Sequence, residues 1–118
     1  MNRRRLGSKF EQIASDYLIK NKYEIVRRNY RSGRIEIDII CTIGEELVFV
    51  EVKGVRSDAF GDPVYRVDRR KQASIIKAAE GFIQESTRGY TSYRFDVIVV
   101  DARGDPPELN HIINAFTL

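Results

Sequence analysis

Glu36, Asp38, Glu51 and Lys53 lie inside the stretch RIEIDIICTIGEELVFVEVKG (34–54), where nearly every other residue is β-branched or apolar. Charged side chains go into such surroundings only when they are paired or hold an ion, because desolvating them is expensive. The residues themselves suggest how they meet. Gly44-Glu45 is a two-residue type II′ hairpin signal, which sets Ile43 against Glu46, Asp38 against Glu51 and Glu36 against Lys53. In that register all four charges project from one end of one face. The other face carries Ile35, Ile37, Ile39, Val48, Val50 and Val52 as core, while Ile40, Leu47 and Phe49 make the charged face apolar towards the turn.

Opposed Asp38 and Glu51 repel by roughly 3 kcal/mol at about 5 Å and an effective dielectric of about 20. A protonated carboxyl or a cation between them relieves this. Paired carboxylates with open coordination positions suit a hard cation, Mg²⁺ or Mn²⁺. Lys53, two residues beyond Glu51, can then reach whatever the metal holds, an arrangement able to activate water and stabilise charge developing on a phosphate. A purely structural reading also stands, in which Lys53 neutralises Glu36 and the other two acids end the strands in solvent. Glu11 has two readings as well. With Ser8 it matches a capping box, and in line with Ala14 and Leu18 it borders an apolar helix face that can aim it at the same charged end.

The elements that must position these residues follow from periodicity. Phe10, Ile13, Ala14, Tyr17 and Leu18 recur at helical spacing up to KNK (20–22). YEIVRRNY (23–30) reads as an edge strand, and 35–43 and 46–53 as the hairpin. Residues 54–66, with two glycines and a proline, read as a loop of the length that carries function. Asp68 caps a second helix whose inner face holds Ile75, Ile76, Ala79, Phe82 and Ile83, and Gly81 weakens its end. YRFDVIVVD (93–101) is an apolar strand, GDPP breaks the chain, and HIINAFTL supplies the last strand. The order α-β-β-β-α-β-β predicts an α/β fold, a mixed central sheet flanked by helices.

The chain of 118 residues is expected to be one domain spanning 1–118. No apolar run reaches a membrane span and no signal core follows MNRRRLGSKF, so the expectation is a cytoplasmic protein without a membrane partner. The lone Cys41 forms no internal disulfide and reads as a reduced strand residue. Net charge is only +3, but the basic residues cluster: Arg3, Arg4, Arg5 and Lys9, then Arg27, Arg28, Arg31 and Arg34, then Arg66, Arg69, Arg70 and Lys71, with Tyr23, Tyr30 and Tyr65 nearby. Such clusters suit a phosphate backbone as well as a solvated surface. With His111 as the single histidine, Ser-His and Cys-His catalysis and a His-rich zinc site find no support, and no P-loop spacing occurs.

FEQIASDYL, RRNYRSGRIEIDII, LVFVEVKGVRS, VDRRKQASIIKAA and RFDVIVV, in that order, resemble the YraN-like family of small proteins similar to Holliday-junction resolvases, within the restriction-endonuclease-like superfamily. The resemblance implies a restriction-endonuclease-like core and a metal-dependent endonuclease acting on DNA, branched structures included. It implies catalytic roles for Asp38, Glu51, Lys53 and Glu11, with Asp38, Glu51 and Glu11 as ligands of Mg²⁺ or Mn²⁺. Glu36 would support the site, and Arg34, Arg56, Arg69 and Lys71 would contact nucleic acid. Two positions depart from the family pattern. Ile35 replaces the usual glycine before Glu-Ile-Asp, and Gly54 replaces the usual threonine after Glu-Val-Lys. The alternative from another class is a catalytically silent nucleic-acid-binding module on the same fold, and a protein-interaction role is a third. A junction has two strands to cut, so a homodimer would supply two sites, with Ile112, Ile113, Ala115 and Phe116 either at its interface or completing the core.

Overall fold

The structure, a computed structural model, describes residues 3–56 and 67–117, with side chains from residue 7 onward. Helix α1 (Arg3–Lys20) is followed by strands β1 (Glu24–Ser32), β2 (Ile35–Ile43) and β3 (Glu46–Val55), helix α2 (Arg69–Glu85), and strands β4 (Ser92–Asp101) and β5 (Glu108–Phe116). The strands form one five-stranded sheet in the order β1-β2-β3-β4-β5. β3 and β4 pair in parallel across α2, and the other neighbours are antiparallel. This is the expected α/β architecture, a mixed central sheet flanked by helices in a restriction-endonuclease-like core. No described helix is long and apolar enough to cross a membrane.

Strands covered on both faces must be apolar at successive positions, and β3 and β4 are. Leu47, Phe49, Val97 and Val99 pack with Ile75, Ala78, Ala79 and Phe82 of α2. Their neighbours Val48, Val50, Ile98 and Val100 pack with Phe10, Ala14 and Leu18 of α1. The sheet is therefore the middle of three layers. Asp68 caps α2, its Oδ1 accepting the Lys71 N–H at 2.8 Å, and the helix runs through Gly81 to Glu85. Cys41 is buried in β2, its thiol pushed up to about 12 by that burial. On β5, Ile112, Ala115 and Phe116 complete the α2-side core, while Ile113 is 53% exposed.

The hairpin turns where expected: Ile43 pairs with Glu46, and of the two turn residues only Gly44 has positive φ, +60°, as a type II′ turn requires. Three expectations are corrected. First, the β2–β3 ladder ends at Ile39–Val50, so neither Asp38–Glu51 nor Glu36–Lys53 forms a pair. Second, Ile35 and Ile37 lie in the α2-side core with Ile40, whereas Ile39 and Cys41 lie on the α1 side. The alternation breaks at Asp38, and on β1 the residue between the flanking pairs Arg28–Ile39 and Tyr30–Ile37 is Asn29, at φ 54°. Third, α1 begins at Arg3, so Ser8 lies within the helix and the Ser8–Glu11 capping box does not form. β3 also continues through Gly54 and Val55, into the stretch read as loop. The remainder of that loop, with Tyr65 and Arg66, lies outside the described residues, as do the side chains of Arg3, Arg4 and Arg5.

Candidate metal centre where β2 and β3 part

The irregularity at Asp38 shapes the site. Past Ile39–Val50 the two strands separate, and the Asp38 carboxylate takes the place of the missing ladder bond: its Oδ2 accepts the Val52 N–H at 2.7 Å. Asp38 thus sits at the seam between the strands rather than on one face. Glu36, two residues earlier, meets Glu11 of α1, so the alignment of Glu11 with the buried Ala14 and Leu18 aims it as one sequence reading expected. Carboxylate oxygens of Glu11, Glu36 and Asp38 all lie within 4.8 Å of one another.

Glu51 approaches from the other side. On β3 it shares the parity of Leu47 and Phe49, the α2-facing residues, and its Oε1 receives the Lys71 ammonium of α2 at 2.7 Å. The acids therefore converge from α1, from the strand seam and from the α2 face. They do not share one sheet face.

So much negative charge in a half-buried place needs compensation. Burial first, then the charges of Glu51, Glu11 and Glu36, push Asp38 up to about 8 against the opposing pull of the Val52 N–H. Burial and then Glu36 also raise Glu11, while Arg28, Asn29 and a hydrogen bond with Asp38 pull it back. With its amide assigned nitrogen-first towards the acids, Asn29 lies 2.9 Å from Glu11 Oε2 and 3.1 Å from Glu36 Oε1. Arg28 stands 3.9 Å from Glu11, and Arg31 reaches Glu36 at 3.1 Å.

The donor set fits a hard divalent cation: oxygen atoms only, clustered, with a carboxyl proton that a cation can replace. Of the expected ligands, Asp38 and Glu11 are brought together. Glu36, expected only to support, is as close as they are, and Glu51 is engaged by Lys71. Lys53 is exposed two residues beyond Glu51 on the same strand. A groove of about 420 Å³ lined by Glu11, Asn29, Arg31 and Glu36 opens this cluster to solvent.

The expected nucleic-acid residues spread around the same end of the sheet. Arg34 is exposed at the turn entering β2, and Arg69 is exposed in the first turn of α2. Arg56, with Lys9, lines a second groove of about 540 Å³ on the other flank of α1. Gly54 is explained by α1: the Phe10 ring occupies the position a Cβ at residue 54 would take.

Sequence reasoning missed a second polar centre at the opposite end. Asp96, fully buried, accepts from Arg94 at 2.9 Å through both oxygens and from the Asn114 N–H at 3.1 Å, and His111 Nε2 meets it at 2.7 Å. His111 Nδ1 lies 3.0 Å from the Tyr17 hydroxyl, and Arg94 also binds Tyr23 and Glu46. Burial alone would raise Asp96, but its hydrogen bonds to His111, Arg94 and Asn114 outweigh that and hold it below the usual range. The signal available was Asp96 itself, a lone acid within FDVIVV.

Comparison with known proteins places this arrangement. Residues 10–100 match the model of the family described as "Uncharacterised protein family UPF0102". The chain belongs to the UPF0102 family. A UPF0102 protein of Geobacter metallireducens is 40% identical over 118 residues, covering 100% of this chain and 97% of the relative. One of Caldicellulosiruptor saccharolyticus is 41% identical, covering 98% of this chain and 100% of the relative. One of Carboxydothermus hydrogenoformans is 42% identical, with 98% of each covered. UPF0102 is the YraN family, which the motifs resemble. The UPF0102 match spans Glu11, Glu36, Asp38, Glu51, Lys53, Lys71 and Asp96, and ends before β5 and its His111.

Proposed function

We propose that this UPF0102 protein is a metal-dependent endonuclease that hydrolyses phosphodiester bonds in DNA, with branched structures as favoured substrates. The observation that carries the reading is the convergence of Glu11, Glu36 and Asp38, with Asp38 pushed up to about 8 by burial and by neighbouring acids. A site that holds its carboxyl proton so tightly is one that a cation relieves. Glu11, Glu36 and Asp38, the last giving up its proton, would hold Mg²⁺ or Mn²⁺ with Glu51 joining from β3, and the ion would supply an acidified water and Lewis-acid polarisation of a phosphoryl oxygen. The Lys53 ammonium, on the Glu51 side of that strand, would meet the phosphate or the attacking water. Arg34, Arg56 and Arg69 supply positive charge around the site for the flanking phosphates.

A second reading has one observation in its favour. Lys71 neutralises Glu51 without any metal, as a nucleic-acid-binding module with no turnover would allow. Incubation of wild type, Asp38→Asn and Lys53→Ala with four-way-junction and linear duplex DNA, with and without Mn²⁺, separates the two. The nuclease reading expects Mn²⁺-dependent cleavage by wild type and at least about a hundredfold loss in both variants. Binding without cleavage by all three proteins transfers the assignment to the module.

A further inference from the structure

The contact between Lys71 and Glu51 joins the first turn of α2 to the end of β3 that carries the site. Lys71 stands in the first turn of α2, its backbone N–H fixed by Asp68, and its ammonium reaches Glu51 Oε1 at 2.7 Å. The Glu51 side chain is 11% exposed and that of Lys71 47%. The acid is thus held in place while the cation has solvent to move into.

Resting on the metal-site reading above, we propose that Lys71 is a resident counter-ion for Glu51, released when a divalent cation binds, and that release frees its ammonium for the phosphate backbone. The reasoning is competition. A carboxylate oxygen bonded to an ammonium is a poorer metal ligand, because the ion pair must break first and the like charges of lysine and metal repel. Breaking a partly exposed pair costs little, so the exchange is readily reversible. Lys71 therefore ties metal occupancy to DNA affinity: without metal it is paired with Glu51, and with metal it adds to the positive charge in the first turn of α2.

Lys71→Met tests this, since the Asp68 cap uses the backbone N–H and survives the substitution. Titration of Mn²⁺ by calorimetry is expected to give about three- to fivefold tighter binding in Lys71→Met than in wild type. In wild type, acylation of the Lys71 amine by a water-soluble ester, read by peptide mass spectrometry, is expected to rise on addition of Mn²⁺, with Lys77 as the unchanged internal reference. Mn²⁺ binding by wild type with equal or weaker binding by Lys71→Met, and unchanged labelling, overturns the counter-ion role and leaves the metal site intact. Absence of Mn²⁺ binding in both proteins overturns the metal site and this inference together.

Discussion

At the scale of single residues, Asp38 lies at the heart of the proposed site and strains the fold. Its folded pKa of about 8 lies above the ordinary carboxylate value near 3.9, so the native state keeps a proton that the unfolded chain has lost. The consequence for stability has a definite sign. Asp38 costs nothing below about pH 4, and its contribution falls progressively as pH rises towards 8. Asp38→Asn, whose amide oxygen can still accept the Val52 N–H, is expected to match wild type at pH 3.5 and to exceed it by about 1–3 kcal/mol at pH 8.5. Urea denaturation at the two pH values measures this, and equal stabilities at pH 8.5 would contradict the raised pKa. Gly54 yields a second prediction. Because the Phe10 ring fills its Cβ position, Gly54→Thr should lose about 1–3 kcal/mol in wild type and markedly less in a Phe10→Ala background, the signature of a direct contact. The acids and Lys53 were legible in the sequence because charges stand out in a strand. Asn29 was not, since its role depends on a left-handed backbone conformation that a strand pattern does not announce.

At the scale of elements, α1 is pinned at both ends. Phe10 presses on Gly54 near the acidic cluster, and Tyr17, seven residues on, meets His111 of β5 above the buried Asp96. Asp96→Ala leaves Arg94 with only Glu46 as its ion partner and removes the acceptor of His111 and of the Asn114 N–H, so it is expected to cost about 3 kcal/mol. Guanidinium denaturation checks the value. Asp96 ionises below the usual range when folded, so this support is present above the ordinary carboxylate pKa and is lost as pH falls through the depressed one. Element order, the Asp68 cap and the hairpin turn followed from local signals: periodicity, capping chemistry and a Gly-X pair. The splitting of Ile37 and Ile39 between opposite faces did not. Strict alternation predicts one face for both, and the irregular backbone at Asp38 and Asn29, the latter at φ 54°, reverses it. That same irregularity parts β2 from β3 and makes room for the site.

At the scale of the whole molecule, acids gather in a cleft at one end of the sheet and exposed arginines stand around it. On the proposed nuclease reading, such a site would draw its affinity for DNA from phosphate contacts, which release counter-ions and weaken with salt. Arg34→Ala and Arg69→Ala should each weaken DNA binding regardless of sequence and lower the salt slope by about 1, as fluorescence anisotropy across a salt series would record. The sequence placed these arginines in clusters without showing that their elements bring them to one end, because that follows from strand order and the crossing of α2. The central claim is that the cluster around Asp38 is a cation site kept charged with a proton. Its most direct test is Mn²⁺ calorimetry at pH 7 in two buffers of different ionisation enthalpy, on wild type and Asp38→Asn. The account predicts that wild type binds Mn²⁺ with release of about one proton, while Asp38→Asn binds more weakly and releases none. Binding by both proteins with the same affinity and no proton release would contradict it.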